Sequence, residues 1–322
     1  MAISKSAKKA YAKAYKKTGK KKSHWLFFSK GDSAKEIISK IITQLAVLVL
    51  AGCLVILANE ARLSISTQML SQKLQDIYHT VTDSITGGNE FSENPNEILP
   101  SAVKLLEINP DTIGWLSIDN TEINLPVVQR RSADGNDYYL KRDFNGASNK
   151  AGTLFLDMRD TLTAAERSQN LIIYGHNQKD RTMFGDLAKY KKDLQFYKDH
   201  GFLTFSSNYK TDRYVIFAAF VTAVESSQTA DGIVFDYHNY IDMDKTRFED
   251  FINNINLRNE YITPVDVDYG DEILTLSTCS NEFEPSRFVI FARKLRDGET
   301  IDLTLTEIND NAKEPDWNII YK

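Results

Sequence analysis

From Ile41 to Ala58 the chain reads IITQLAVLVLAGCLVILA, 18 consecutive positions without a charged side chain. A helix needs roughly that many apolar residues to cross the hydrocarbon core of a bilayer. The run therefore predicts a transmembrane helix, residues 41–58, that divides the chain in two. The 40 residues before it hold twelve lysines against Asp32 and Glu36, a net +10, so the remainder carries −15 to give the overall −5. Lysines ahead of the run and Glu60 behind it place the tail, residues 1–40, in the cytoplasm and everything beyond residue 60 outside. A buried core helix would not normally follow so basic a tail, and a cleaved signal peptide has a much shorter basic region. Leu50-Ala51-Gly52-Cys53 matches a lipidation site, but the apolar run continues past it through LVILA. Small residues beside a cysteine are ordinary in membrane helices. The tail, KKAYAKAYKKTGKKK, is expected to lie against the anionic inner leaflet rather than to bind nucleic acid.

This division makes the cysteines informative. With Cys53 in the bilayer, Cys279 is the one thiol of the exported part and has no disulfide partner. An unpaired thiol in an exported protein calls for a functional reason, although an inert buried cysteine is the alternative. It ends an apolar strand in LTLSTCSNEFEPSRFVIF, residues 274–291, and Asn281 and Pro285 mark the loop that follows. On the next strand Arg287, Val289, Phe291 and Arg293 share one side, and Phe288, Ile290 and Ala292 the other. Antiparallel pairing would set Arg287 beside Cys279, where a guanidinium can stabilise a thiolate or a developing oxyanion. An arginine that opens a strand is also often a surface cap.

Residues 60–86 carry apolar side chains at the helical period, and GGNEFSENPNEILP, residues 87–100, reads as a linker. A short helix is expected at Ser101–Glu107. Strands are expected at 114–118, 123–129, 152–157, 171–174, 202–206, 213–224, 272–278, 287–295 and 300–306, with helical interruptions at Met183–Lys189 and Lys245–Asn256. Eight or nine short strands imply a mainly β, closed or sandwich-like domain. Of the exported histidines, His79, His200 and His238 are expected to pack or to face solvent, with His200 in a turn. His176 follows the apolar strand LIIYG at a strand end, as Cys279 does, so a Cys–His pair for acyl transfer is available. No CxxC, HExxH or EF-hand spacing, P-loop or dinucleotide fingerprint is present, so neither a metal nor a cofactor is expected.

The same residues resemble the sortases, cysteine transpeptidases of Gram-positive cell surfaces. TLSTC at 275–279 with SRFVIFARKL resembles the nucleophile and arginine strands, and YGHNQKDRTMFGDL, residues 174–187, resembles the histidine segment of class B. NPDTIGWLSIDNTEINLPVVQ and DYYLKRDFNGASNKAGTLFLD resemble the opening strands of that class. The resemblance implies an eight-stranded sortase β-barrel with N-terminal helices and a helix inserted before the cysteine strand. It covers about residues 107–306, the expected catalytic domain, which leaves residues 59–106 as juxtamembrane helices and linker and 307–322 as a C-terminal tail. It further implies that Cys279 is the nucleophile, His176 the acid–base partner and Arg287 the oxyanion or positioning residue, with Ser277 and Thr278 near the substrate threonine. The implied reaction cleaves a C-terminal sorting signal after threonine and transfers the protein to an amine of a cell-wall precursor. The alternatives are a pilin-polymerising enzyme, or a cysteine peptidase or cell-wall amidase using the same pair. Many class B members carry an acidic residue directly after the cysteine; here Ser280 and Asn281 intervene before Glu282.

Overall fold

The computed structural model describes residues 27–29, 31–86, 94, 96–131, 135–280 and 282–320. Most of the lysine-rich tail, most of the 87–100 linker and Asn281 lie outside the described residues. The chain forms two compact units, up to Arg62 and from Leu63 onward.

In the first unit the apolar run belongs to helix α1, Ala34–Thr86, which is long and apolar enough to cross a membrane. Ile42, Leu48, Val49 and Val55 are all exposed on its surface, and none of its most apolar window is covered by protein. The helices expected at 41–58 and 60–86 are one uninterrupted element, because no glycine or proline between Cys53 and Thr86 breaks the backbone ladder.

The second unit is a closed barrel of eight strands: β1 (Thr112–Ser117), β2 (Asn124–Val128), β3 (Leu154–Leu156), β4 (Asn170–Tyr174), β5 (Phe202–Ser207), β6 (Thr211–Ala223), β8 (Ile273–Cys279) and β9 (Ser286–Lys294). Around the barrel the order is β1-β2-β3-β4-β8-β9-β6-β5. Closure leaves no open edge. The β2–β3 and β4–β8 pairs are parallel and the others antiparallel. Leu116, Val127, Ile173, Leu276 and Ile290 fill the interior. The outer face of β8 and β9 is buried too, because helix α4, Lys245–Arg258, lays Phe248, Phe251 and Ile255 over Phe291 and Val289. The Asp244 side chain caps α4 by accepting from Arg247 N at 2.8 Å. A third apolar cluster joins the Leu74 and Tyr78 side chains of α1 to Trp115, Val128 and Phe155, with Tyr78 stacked on Trp115 at 4.3 Å.

Helix α2 is Pro100–Ile108, helix α3 is Leu194–His200, and β7 (Tyr261–Ile262) pairs with β10 (Glu307–Ile308). Three expectations need correction. Residues 300–306 hold a 3-10 turn, Leu303–Leu305, rather than a strand, because the Asp302 carboxylate accepts from Thr304 N and Oγ1 and turns the backbone. The helix expected at Met183–Lys189 is a 3-10 helix, Gly185–Tyr190; Met183 has a φ of 52°, a left-handed conformation that keeps it out of any helix. His200 closes α3 rather than lying in a turn, with Nδ1 3.0 Å from Phe196 O and its ring stacked on Phe196.

Candidate active site

Strands β4, β8 and β9 are neighbours in the barrel, and their ends meet at one rim. The parallel β4–β8 register pairs Tyr174 with Ser277, and Gly175 N donates to Ser277 O at 3.1 Å. Two residues further along, that register sets His176 level with Cys279. The Asn177 side chain closes the approach, its Nδ2 donating to Cys279 O at 3.0 Å. In the antiparallel β8–β9 register Cys279 and Arg287 are direct partners. Because side chains alternate along a strand, Ser277, Cys279, Arg287 and Val289 lie on one face. The structure thus brings His176, Cys279 and Arg287 together.

All three line a cleft of about 270 Å³ with Leu140, Phe155, Tyr174, Gly175, Ser277 and Thr278. The Cys279 side chain is exposed. His176 Nε2 lies 2.7 Å from Leu140 O. A carbonyl can only accept, so Nε2 carries the hydrogen, and in the neutral ring Nδ1 keeps the lone pair. Arg287 Nη1 donates to Ser286 O at 2.9 Å, and among the described residues the guanidinium pairs with no carboxylate. Arg293, three registers along the same face, is fully buried and held by Glu299 at 2.6 Å. One arginine of this strand is thus neutralised inside the protein, whereas the other brings positive charge to the cleft.

Ser277 and Thr278 are both buried, on opposite faces of β8. The Thr278 hydroxyl donates to Gly175 O at 2.7 Å, toward the interior. The Ser277 hydroxyl shares a 2.7 Å hydrogen bond with the phenol of Tyr237, which burial holds above its ordinary pKa. Tyr174 donates to Asp157 Oδ2 at 2.9 Å; burial and then the Asp157 charge push its phenol up. Burial alone would raise the Asp157 carboxyl, but hydrogen bonds from Arg159 and Tyr174 hold it below the ordinary range. Arg159 also donates to His238 O at 2.7 Å and Asn239 Oδ1 at 3.1 Å, so one ion pair ties the Tyr174 side of the cleft to the turn bearing Tyr237.

Sequence reasoning missed Leu140, Tyr174 and Tyr237. Tyr174 had a signal, two residues before His176 on the same face. Leu140 and Tyr237 reach the site by long-range folding, and no local pattern marks them. His79, His200 and His238 do not line the cleft. Among the described residues no cluster of His, Cys, Asp and Glu could hold a metal ion.

A family model described as the sortase domain matches residues 116–295. The chain is 36% identical to sortase B of Listeria monocytogenes over 188 residues, covering 58% of this chain and 70% of that protein. It is 30% identical to sortase B of Staphylococcus aureus over 208 residues, covering 64% of this chain and 79% of that protein. The solved Staphylococcus aureus sortase B–substrate complex superimposes with a TM-score of 0.60 at 26% identity, covering 73% of this chain and 98% of that one. The matched segment contains all of the cleft's strands, and the cleft opens where those strands end. The chain belongs to the sortase family of transpeptidases, as a class B sortase.

Proposed function

We propose that this protein is a membrane-anchored transpeptidase that cuts a C-terminal sorting signal after threonine and joins the protein to an amine of a cell-wall precursor. The observation that carries this reading is the convergence of Cys279, His176 and Arg287 at the rim of one open cleft. The Cys279 thiol gives its proton to His176 Nδ1 as its sulfur attacks the carbonyl carbon, and the resulting oxyanion faces the Arg287 guanidinium. His176 delivers a proton from Nδ1 to the departing amine, and a thioester to Cys279 remains. An acceptor amine attacks that thioester, gives its proton to His176, and the thiolate leaves as the new amide forms. Arg287 stays protonated throughout, so proton transfer falls to His176.

The Ser277 hydroxyl lies on the Cys279 face and is the better placed of the two expected substrate contacts. Thr278 would meet substrate through its backbone, since its hydroxyl is committed to Gly175 O. The solved Staphylococcus aureus relative holds substrate, which supports assigning a substrate role to the matching cleft. Helix α1 supports the anchoring, and the lysines ahead of it support a cytoplasmic N-terminus with the barrel outside.

The test is turnover of a sorting-signal peptide library by the full chain in detergent, with and without added amines. Transfer to an amine, abolished in Cys279→Ala, is expected. Full cleavage by Cys279→Ala would refute the assignment, and hydrolysis unaffected by every amine would favour a cysteine peptidase or amidase. Transfer only to a lysine of a pilin subunit would favour the polymerising variant.

A further inference from the structure

The segment after residue 308 reads in sequence as an uninformative tail, yet it runs from the β7–β10 pair to the loop that follows Cys279. Asn309 N donates to Glu260 O at 2.9 Å, Lys313 N to Leu257 O at 2.8 Å and Asp316 N to Gln228 O at 3.1 Å. Glu314 takes hydrogen bonds from Lys192 and from Trp317 Nε1, which fixes the indole. Trp317 then meets Phe283 edge to face, with centroids 5.6 Å apart. Phe283 lies within the six-residue loop between Cys279 and Ser286, which is closed by Ser280 N donating to Ser286 O at 3.1 Å.

Two other groups hold the same loop. Lys191 Nζ donates to Ser280 Oγ at 3.1 Å and pairs with Glu282 at 2.6 Å, while lying 5.2 Å from the Phe288 ring centroid. Gln228 Nε2 donates to Pro285 O at 2.9 Å. The loop is thus gripped by a cation from the segment between the 3-10 helix and α3, by an amide from the β6–α4 connection, and by an aromatic ring from the C-terminal segment.

We propose that residues 309–320 form a strap that fixes the loop between Cys279 and Arg287, and that Trp317 and Lys191 are positioning residues setting how substrate fits the cleft. This rests on the transpeptidase reading for its kinetic consequence, though not for its structural one. The loop joins two residues that line the cleft, so its position sets the rim that substrate meets, while the β8–β9 ladder itself keeps Cys279 and Arg287 in register. Neither positioning residue lines the cleft, so each acts through the loop.

The experiment compares the wild-type full chain in detergent with Trp317→Ala, Trp317→Phe and Lys191→Met. Hydrogen exchange of peptides spanning residues 280–288 should speed up by at least about fivefold in Trp317→Ala and Lys191→Met, with β4 and β6 peptides unchanged, because only the loop loses its hold. With a cleavable sorting peptide, KM should rise about tenfold while kcat stays within about twofold, and Trp317→Phe should recover most of the loss. Unchanged exchange at 280–288 in both Trp317→Ala and Lys191→Met would overturn the strap whether or not a substrate is found. Faster exchange with unchanged KM, or with kcat falling instead, would overturn the positioning role. Failure of the transpeptidase reading would show separately, as cleavage surviving in Cys279→Ala.

Discussion

Asp160 is fully buried just beyond β3, with Oδ2 accepting from Ile172 N at 2.7 Å on the strand that leads to His176. Its Oδ1 is buried with no hydrogen-bond partner. Burial first, and then the neighbouring Asp157 charge, raise its pKa from 3.8 to about 8. The folded protein therefore keeps this carboxyl protonated between about pH 4 and pH 8, where the unfolded chain releases the proton. Wherever the folded state binds more protons, stability falls as pH rises. The penalty is absent below the unfolded value, grows through this window and is complete above about pH 8. At about 1.4 kcal/mol per pH unit, the roughly three units between the unfolded pKa and pH 7 set an upper bound of about 4 kcal/mol, and a realistic figure is about 2–4 kcal/mol. Asp160→Asn cannot ionise, and its amide oxygen can still accept from Ile172 N. The variant should match wild type near pH 4 and exceed it by that margin at pH 7. Denaturant unfolding followed by circular dichroism at pH 4.5, 6, 7 and 8 measures the gap. A gap independent of pH, or a variant less stable than wild type at pH 8, would refute the reasoning.

Other perturbations separate the remaining parts of the account. Glu260, with its pKa raised by burial to about 7, follows the same sign rule. Glu260→Gln, which can still accept from Lys192 N, should add about 2 kcal/mol at pH 8 and nothing at pH 4.5 in the same unfolding assay. A Cβ on Gly175 would lie 2.4 Å from Leu154 Cδ2 and 2.7 Å from Phe184 Cδ2. Gly175→Ala should therefore cost about 1–3 kcal/mol of stability and, by displacing the next residue, His176, lower kcat/KM about 100-fold in a peptide-cleavage assay. Arg159→Ala leaves the buried Asp157 carboxylate without its main partner, and thermal melting should show a loss of about 1–3 kcal/mol. Substitution of Arg159 should also raise exchange in the turn at residues 237–239, which hydrogen–deuterium exchange would detect.

The strands that sequence anticipates best are those whose local pattern suffices. LIIY is an apolar run that leads to His176 and ILTLSTC a run of apolar, small and β-branched residues that ends in Cys279, and each is a barrel strand ending at the cleft. The Phe248, Phe251 and Ile255 stripe predicts α4 for the same reason. Local alternation misleads at residues 300–306, where TIDLTLT has a strand's period but a single Asp302 carboxylate captures the backbone into a turn. Helix α3 escapes notice because its seven residues bury only Tyr197. The site divides in the same way. Cys279, His176 and Arg287 carry chemistry legible in their residue types and strand-end positions, while Tyr237 and Leu140 approach through contacts 40 and 36 residues away in sequence. The C-terminal segment is least legible, because backbone groups anchor it to Glu260, Leu257 and Gln228 and one edge-on ring meets the loop, with no periodic apolar face to mark it.

The central claim is that Cys279 becomes acylated by a cleaved peptide and is released by an amine. Intact-protein mass spectrometry of the full chain, quenched in acid after mixing with a cleavable sorting peptide in the absence of amine, tests it directly. The account predicts a mass increase equal to the peptide fragment ending at threonine less one water, mapped to Cys279, absent in Cys279→Ala and lost when amine is added. Cleavage proceeding with no adduct, or an adduct mapped to any other residue, would contradict it.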